Sequence, residues 1–127
     1  MNAATRKKYR IASRYIHSGA TKQQVFRFPN GFGASVIKGL YSYGGPDGLF
    51  ELAVLKFTGE DDNFSLCYET PITEDVIGYL TEAEVNKYLS KIYKLPASDV
   101  KCPTIEERIA SALEAAGEAA KEREDAN

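Results

Sequence analysis

The segment Val25–Phe57 constrains the fold more than any other part of this 127-residue chain. In it, short runs of aromatic and β-branched residues are interrupted by Pro29-Asn30-Gly31 and by the glycine-rich stretch Gly44–Gly48. Such runs favour strands, and Pro, Asn, Asp and Gly between them favour tight turns. The segment therefore predicts antiparallel strands that follow one another in the sheet as they do in the sequence.

Four strands are predicted, and they differ in how many of their faces are apolar. Residues 25–28 and 34–41 are predicted to form a hairpin, in which Asn30-Gly31 favours a type I′ turn with positive φ at both central residues. Residues 50–57 have apolar side chains on both faces, which predicts a strand in the middle of the sheet or under a second layer. In residues 64–68, aromatic and leucine side chains alternate with smaller or polar ones, which predicts a strand that buries its aromatic and leucine face.

Beyond Pro71 the apolar spacing changes from two residues to three or four, which predicts helices. A short helix is predicted over residues 73–80. Thr81 and Glu84 then fit a capping box, in which each side chain accepts a hydrogen bond from the other residue's backbone N–H. The helix that follows is predicted to cover the sheet with an apolar stripe. This stripe consists of Val85, Leu89, Ile92 and Leu95.

The two ends of the chain carry opposite charges, although the net charge is only −2. Residues 1–24 contain six basic residues and no acidic residue, whereas residues 103–127 contain seven acidic and three basic residues. Such an asymmetry occurs in segments that contact nucleic acid or a partner protein, and more often in solvated tails.

Together these elements predict an α+β fold: an antiparallel four-stranded meander sheet covered by C-terminal helices, with a short N-terminal helix or arm. Residues 1–24 are the predicted basic arm or short helix, with the helix at about Arg6–His17. Residues 25–103 are the predicted α+β core, and residues 104–127 are a predicted C-terminal helix with a frayed acidic end. The apolar stripe on residues 105–120 is predicted to dock on the sheet, with a partner protein as the alternative. It consists of Ile105, Ile109, Leu113, Ala116 and Ala120.

The sequence has no feature of a membrane-inserted or secreted chain. No apolar run reaches the length of about 18 residues that a spanning helix needs, and no apolar core and cleavage site follow the basic N-terminus. Cys67 and Cys102 match no metal-binding or redox spacing, so we expect free thiols in a reducing compartment. The expected location is the cytoplasm, without membrane contact.

No group of residues has the spacing of a catalytic or metal site. His17 is the only histidine and has no acidic residue near it in the sequence. Glu60–Asn63 lacks the alternating ligand spacing of a calcium loop. Gly31–Val36 begins like a phosphate-binding glycine loop but continues into β-branched residues rather than a helix. We therefore expect no enzyme activity, no cofactor and no metal.

Two segments carry residues that are typical of binding surfaces. Tyr41, Tyr43 and Asp47 belong to the glycine-rich loop, and aromatic residues on loops are common in protein interfaces. The alternative is that these tyrosines only cap the edge of the core. The basic N-terminal segment combines cations that contact phosphates with tyrosines that stack on bases. Its candidate nucleic-acid-binding residues are Arg6, Lys7, Lys8, Arg10 and Arg14.

A resemblance to a known family rests on three motifs, Phe28–Val36, Tyr43–Leu55 and Thr70–Leu80. With them, the stretch from about Val25 to Pro96 resembles small uncharacterised proteins encoded in bacteriophage genomes. The resemblance implies a phage origin and the cytoplasm of a host cell, and it brings no catalytic residue. We therefore predict a non-catalytic phage accessory protein that binds a host or phage protein. Inhibition of host defence is one predicted form of this binding. The alternative is nucleic-acid binding through residues 1–24.

Overall fold

A six-stranded sheet and two flanking helices make up most of the structure, a computed structural model that describes residues 1–67, 70–72, 76–96, 109–110 and 112–114. In chain order the elements are α1 (Ala3–Tyr9), β1 (Arg10–Ile16), β2 (Thr21–Arg27), β3 (Phe32–Gly39), β4 (Phe50–Phe57), β5 (Phe64–Leu66), β6 (Ile77–Leu80) and α2 (Glu82–Tyr93). The α+β class is therefore confirmed.

The sheet is an antiparallel meander with one addition. Strands β1 to β5 are neighbours in sequence order, and β6 pairs with β4. Strand β4 pairs with β3 along one edge, while its other edge pairs with β6 near Phe50 and with β5 near Phe57. The predicted meander order is confirmed, but the described sheet has six strands rather than four.

The first additional strand replaces most of the helix predicted at Arg6–His17. Helix α1 ends at Tyr9, and β1 pairs with β2 over the next seven residues. The apolar residues in this segment fit the helical spacing as well as the two-residue spacing of a strand, so the pairing with β2 determines that a strand forms. The Ser18-Gly19 signal is a strand reversal rather than a helix stop, because His17, Ser18 and Gly19 all have positive φ (52°, 55° and 89°).

The second additional strand, β6, replaces the end of the helix predicted over residues 73–80. Ile77 pairs with Leu52, and Leu80 pairs with Phe50. Residues 73–75 lie outside the described residues. The helix prediction was wrong for 77–80 because a free edge of β4 offers backbone partners to a segment too short to form a stable helix alone.

The hairpin between β2 and β3 has a longer loop than predicted. Among the described non-glycine residues positive φ occurs only at His17, Ser18 and Tyr79, so the type I′ turn predicted at Asn30-Gly31 is wrong. The N–H of Gly31 donates to the carbonyl of Phe28 at 3.1 Å, and the N–H of Phe28 donates to the carbonyl of Phe32 at 2.8 Å. This pattern is a three-residue loop in which Gly31, with φ of 86°, forms a bulge.

Asn30 is used for a different purpose, which is to cap the end of α2. Its side-chain N–H group donates to the carbonyls of Ile92 at 2.8 Å and Leu95 at 2.9 Å. Its side-chain oxygen accepts from the N–H of Phe32 at 3.0 Å. The last carbonyls of a helix lack partners within the helix, and Asn30 supplies them from the hairpin loop.

Helix α2 forms as predicted. The capping box between Thr81 and Glu84 is present, and the predicted apolar stripe is buried against the sheet. Val85, Leu89 and Ile92 have no exposed surface, and Leu95 is 7% exposed. The core between α2 and the sheet includes Phe26, Phe28, Phe32, Leu52 and Val54.

The opposite face of the sheet also buries apolar side chains. Leu55 and Phe57 of β4 form a second, smaller cluster with Val25 of β2. Strand β4 is therefore buried on both faces, as predicted. Strand β5 is where it was predicted, but Phe64 and Leu66 are 37% and 40% exposed, so the predicted burial of these two side chains is wrong. Tyr68, the third residue predicted on this face, lies outside the described residues. Within the described part of the chain, the three-residue strand β5 lies at the edge of the sheet and pairs only with β4.

Cys67 corrects the expectation of free thiols. It is fully buried and disulfide-bonded. The chain's other cysteine, Cys102, lies outside the described residues. Sequence spacing did not reveal this because disulfide formation depends on how close the fold brings cysteine side chains, not on their separation in sequence.

Little of the predicted C-terminal helix at 104–127 falls within the described residues. Residues 109–110 and 112–114 are helical. Ile109 and Leu113 are 55% and 67% exposed, so the prediction that these two side chains dock on the sheet is wrong. The other three members of that stripe, Ile105, Ala116 and Ala120, lie outside the described residues.

Candidate binding surfaces

Four large side chains are exposed where the loop after β3 meets the end of β6. Leu40, Tyr41, Tyr43 and Tyr79 are each between 61% and 74% exposed. We call these four residues the loop patch. Aromatic side chains that remain in water cost free energy in the isolated protein, and contiguous groups of them are typical of interaction sites.

Two segments of the loop patch interlock through their backbones. The N–H of Tyr79 donates to the carbonyl of Tyr43 at 3.0 Å. A Cβ atom on Gly78 would lie 2.5 Å from the Cβ of Tyr43, and one on Gly44 would lie 2.8 Å from the Cα of Tyr79. Glycine is therefore required at both positions for this approach. Tyr79 itself has a φ of 57°, which is rare for an aromatic residue and indicates strain held by the surrounding contacts.

Polar contacts hold the loop from beneath. Ser42 is 6% exposed, and its hydroxyl bonds both the N–H and the carbonyl of Gly39, at 3.0 and 3.1 Å. The carboxylate of Glu51 accepts from the N–H of Tyr43 at 3.3 Å. The third residue predicted to bind, Asp47, is exposed at the end of a 3₁₀ turn at Gly45–Asp47. The structure thus joins Tyr41 and Tyr43 to Leu40 and Tyr79.

His17 supports the loop patch. Its ring stands edge-on to the ring of Tyr41, with the ring centres 5.9 Å apart. Its Nδ1 lies 3.2 Å from the hydroxyl of Thr21, which is fully buried. No group of three or more His, Cys, Asp or Glu within the described residues has the arrangement of a metal site.

The basic N-terminal segment is attached to α2 and the sheet through Arg6. The Arg6 guanidinium donates to the side-chain oxygens of Asn86 at 3.1 Å and Gln24 at 3.4 Å. It also lies 3.7 Å from the carboxylate of Glu82, and the Arg6 side chain is only 14% exposed. Much of the hydrogen-bonding capacity of Arg6 is therefore used within the protein.

Tyr9 provides a second attachment for this segment. Its ring packs against the rings of Phe28 and Tyr93, at centre-to-centre distances of 5.7 and 5.5 Å. A side-chain hydrogen bond between Tyr93 and Tyr9 favours the protonated phenol and raises the pKa of Tyr93 above its ordinary value. Lys8 lies over the Tyr9 ring, with its Nζ 5.4 Å from the ring centre.

A β-bulge separates the last two basic residues of the predicted set. Arg10 lies opposite Phe26 and Arg14 lies opposite Gln23, because the pairing of β1 with β2 shifts by one residue between Arg10 and Ala12. Since side chains alternate along a strand, the shift puts Arg10 on the face that carries α2 and Arg14 on the other face. There the Arg14 Nε donates to the side-chain oxygen of Gln23 at 2.8 Å.

Three of the five predicted basic residues line one cleft. Arg6, Lys7 and Arg10 surround a volume of about 370 Å³ between α1, β2 and α2. The other residues that line it are Ala3, Gln24, Glu82 and Asn86. The structure therefore brings three of the predicted cations together, while Lys8 lies on Tyr9 and Arg14 lies on the opposite face of the sheet.

No family model, curated protein or solved structure matches this chain. The function must therefore be argued from its surfaces. No helix within the described ranges is long and apolar enough to cross a membrane.

Two members of the loop patch were not predicted from the sequence. Tyr79 was assigned to a helix, and only its backbone hydrogen bond to Tyr43 identifies it as a neighbour of the loop. Leu40 was assigned to the continuation of a strand, and its exposure adds it to the patch.

Proposed function

We propose that this chain is a non-catalytic binding protein that docks on another protein through the loop patch. The observation that supports the proposal is the exposure of Leu40, Tyr41, Tyr43 and Tyr79 on two interlocked segments. Tyrosine is enriched among the residues that dominate binding energy in protein interfaces, because it offers a large rigid contact area and a polar tip.

Preorganisation of the loop patch adds to its value as a binding surface. A loop that must become ordered on binding loses affinity through the entropy of ordering. Here the bond from Tyr79 to Tyr43 and the buried Ser42 hydroxyl fix the backbone before a partner arrives. The strained φ of Tyr79 is consistent with a conformation retained for function rather than for stability.

The class of partner follows from the resemblance of residues 25–96 to proteins encoded in bacteriophage genomes. We infer a phage accessory protein whose partner is a host or phage protein, with a component of host defence as one candidate. A phage origin and the cytoplasm of the host cell are parts of the same proposal, and both rest on the resemblance, since the disulfide of Cys67 removes the free-thiol argument for a reducing compartment.

The test begins with capture of partners from a host lysate, followed by affinity measurements with the purified partner. The double variant Tyr41→Ala, Tyr43→Ala is expected to lose at least about thirtyfold in affinity, since truncating even one central interface aromatic costs roughly 2 kcal/mol or more. The matched control is Tyr15→Ala, because Tyr15 is similarly exposed (68%) but lies on β1, outside the loop patch. Unchanged affinity in the double variant, or an equal loss in the control, would place the binding site elsewhere.

A further inference from the structure

One cross-strand row combines aromatic and basic side chains on the face of the sheet that carries α2. Tyr15 on β1 lies opposite Lys22 on β2, and Lys22 lies opposite Lys38 on β3. The Lys38 Nζ lies 4.9 Å from the centre of the Phe50 ring on β4. Residues directly opposite each other in an antiparallel pair point to the same side of the sheet. The row therefore presents Tyr15, Lys22, Lys38 and Phe50 across four strands.

The two lysines of this row oppose each other in the free protein. Like charges directly opposite on neighbouring strands destabilise a sheet. An anion bound between Lys22 and Lys38 would remove this repulsion. The arrangement is thus explained more simply by a negatively charged ligand than by stability.

The row continues into the basic cleft of the N-terminal segment. Lys22, Lys38 and Phe50 line a second cleft of about 170 Å³ together with Gln24 and Val36, and Gln24 also lines the cleft of about 370 Å³. The two clefts therefore adjoin. Their combined lining contains one carboxylate, Glu82, which pairs with Arg6. It contains five cations, namely Arg6, Lys7, Arg10, Lys22 and Lys38.

We propose that this surface, which we call the basic groove, binds single-stranded nucleic acid. It consists of the five lining cations together with Tyr15 and Phe50. A positively charged groove that follows the backbone, combined with aromatic rings on which bases stack, is the common design of single-strand binding sites. Tyr15 is 68% exposed and stands beside Lys22, where it is free to stack on an unpaired base. In a duplex the bases are already stacked, so this ring would gain nothing.

The basic groove is separate from the loop patch and differs from the predicted N-terminal site. It omits Lys8 and Arg14, and it adds Lys22 and Lys38 from the sheet. Arg14 is therefore a matched control: it belongs to the same basic segment but lies on the other face, bonded to Gln23.

The test is fluorescence anisotropy with the full chain and a labelled oligothymidylate or oligouridylate of about 15 nucleotides. Affinity is expected to fall steeply between about 50 and 200 mM salt, because binding releases counterions. The pair Lys22→Gln, Lys38→Gln is expected to weaken binding and to reduce the salt slope by about 1.4, roughly 0.7 for each phosphate contact on a single strand. Arg14→Gln, with the same change of charge per residue, is expected to change neither. Tyr15→Ala is expected to weaken binding about tenfold without changing the slope.

Several results would overturn the proposal. The first is the absence of saturable oligonucleotide binding at low salt. The second is a loss of affinity in Arg14→Gln as large as the loss in the lysine pair. The third is equal affinity for a duplex of the same length, together with no effect of Tyr15→Ala. A second arm measures heparin, and equal affinity for heparin would reduce the groove to a general polyanion surface. Lys7→Gln removes a groove cation from α1 without changing a strand residue, and it is also expected to lower the affinity and the salt slope. The conclusion then does not depend on whether the Lys22→Gln, Lys38→Gln variant folds.

Discussion

Asn30 provides a test of how the first hairpin and α2 are joined. If Asn30 served a type I′ turn, replacement by glycine would be neutral or stabilising, since glycine adopts positive φ without cost. In the structure Asn30 has negative φ and instead caps α2, with bonds of 2.8 and 2.9 Å to the carbonyls of Ile92 and Leu95. A third bond of 3.0 Å comes from the N–H of Phe32.

The expected cost of removing this cap follows from these three bonds. Each contributes about 1 kcal/mol net, so Asn30→Ala and Asn30→Gly should both lower the free energy of unfolding by about 3 kcal/mol. Glycine should be the worse of the two by roughly 0.5–1 kcal/mol, because it loses more backbone entropy on folding. Asn30→Asp should be no better than alanine at neutral pH, because it loses the donor and places a negative charge at the carbonyl end of the helix.

The assay is equilibrium unfolding in urea for the four proteins, analysed by linear extrapolation with a shared slope. A variant Asn30→Gly as stable as the wild type, or more stable than Asn30→Ala, would refute the cap and restore the turn explanation.

Three further predictions concern the rest of the described structure. Leu89→Ala should cost about 2–5 kcal/mol in urea unfolding, because Leu89 is fully buried in the middle of the α2 stripe; a cost below about 1 kcal/mol would show that α2 does not cover the core. Hydrogen bonds from the backbone and hydroxyl of Thr81 lower the pKa of Glu84, so its contribution to stability is present above the ordinary glutamate pKa and is lost as pH falls through the lowered value. Glu84→Gln should therefore flatten the acid side of the stability profile, and an unchanged profile would contradict this. Cys67 should resist alkylation in the denatured, unreduced chain and become reactive after reduction, as measured by mass spectrometry; labelling before reduction would rule out its disulfide.

Sequence reasoning succeeded where one segment carried a complete signal. Strand β4 has the predicted bounds because its apolar residues alternate onto both faces of a segment that follows a glycine-rich turn signal and precedes a polar one, the pattern of a strand buried on both sides. Helix α2 combines a capping box with a regular stripe, so its start and its buried face followed from the sequence. Both signals are local, and neither depends on which element lies next to them.

The predictions failed for segments whose secondary structure is determined by pairing with a neighbouring strand. Strands β1 and β6 have spacings that fit a helix as well, and their state is fixed by the free edges of β2 and β4. The same limit applies to the candidate sites. The loop identified Tyr41 and Tyr43, but Tyr79 joins them through a tertiary hydrogen bond. The composition identified basic residues, but a bulge sends Arg14 to the other face, and only the register places Lys22 opposite Lys38.

The most direct test of the account measures both binding activities on both surfaces. Affinities for the captured protein partner and for the labelled oligonucleotide are determined for Tyr41→Ala, Tyr43→Ala and for Lys22→Gln, Lys38→Gln. The account predicts that the tyrosine pair loses the protein partner and keeps the oligonucleotide, and that the lysine pair does the reverse. Retention of the protein partner by the tyrosine pair would contradict the central claim that the loop patch is the protein-binding surface.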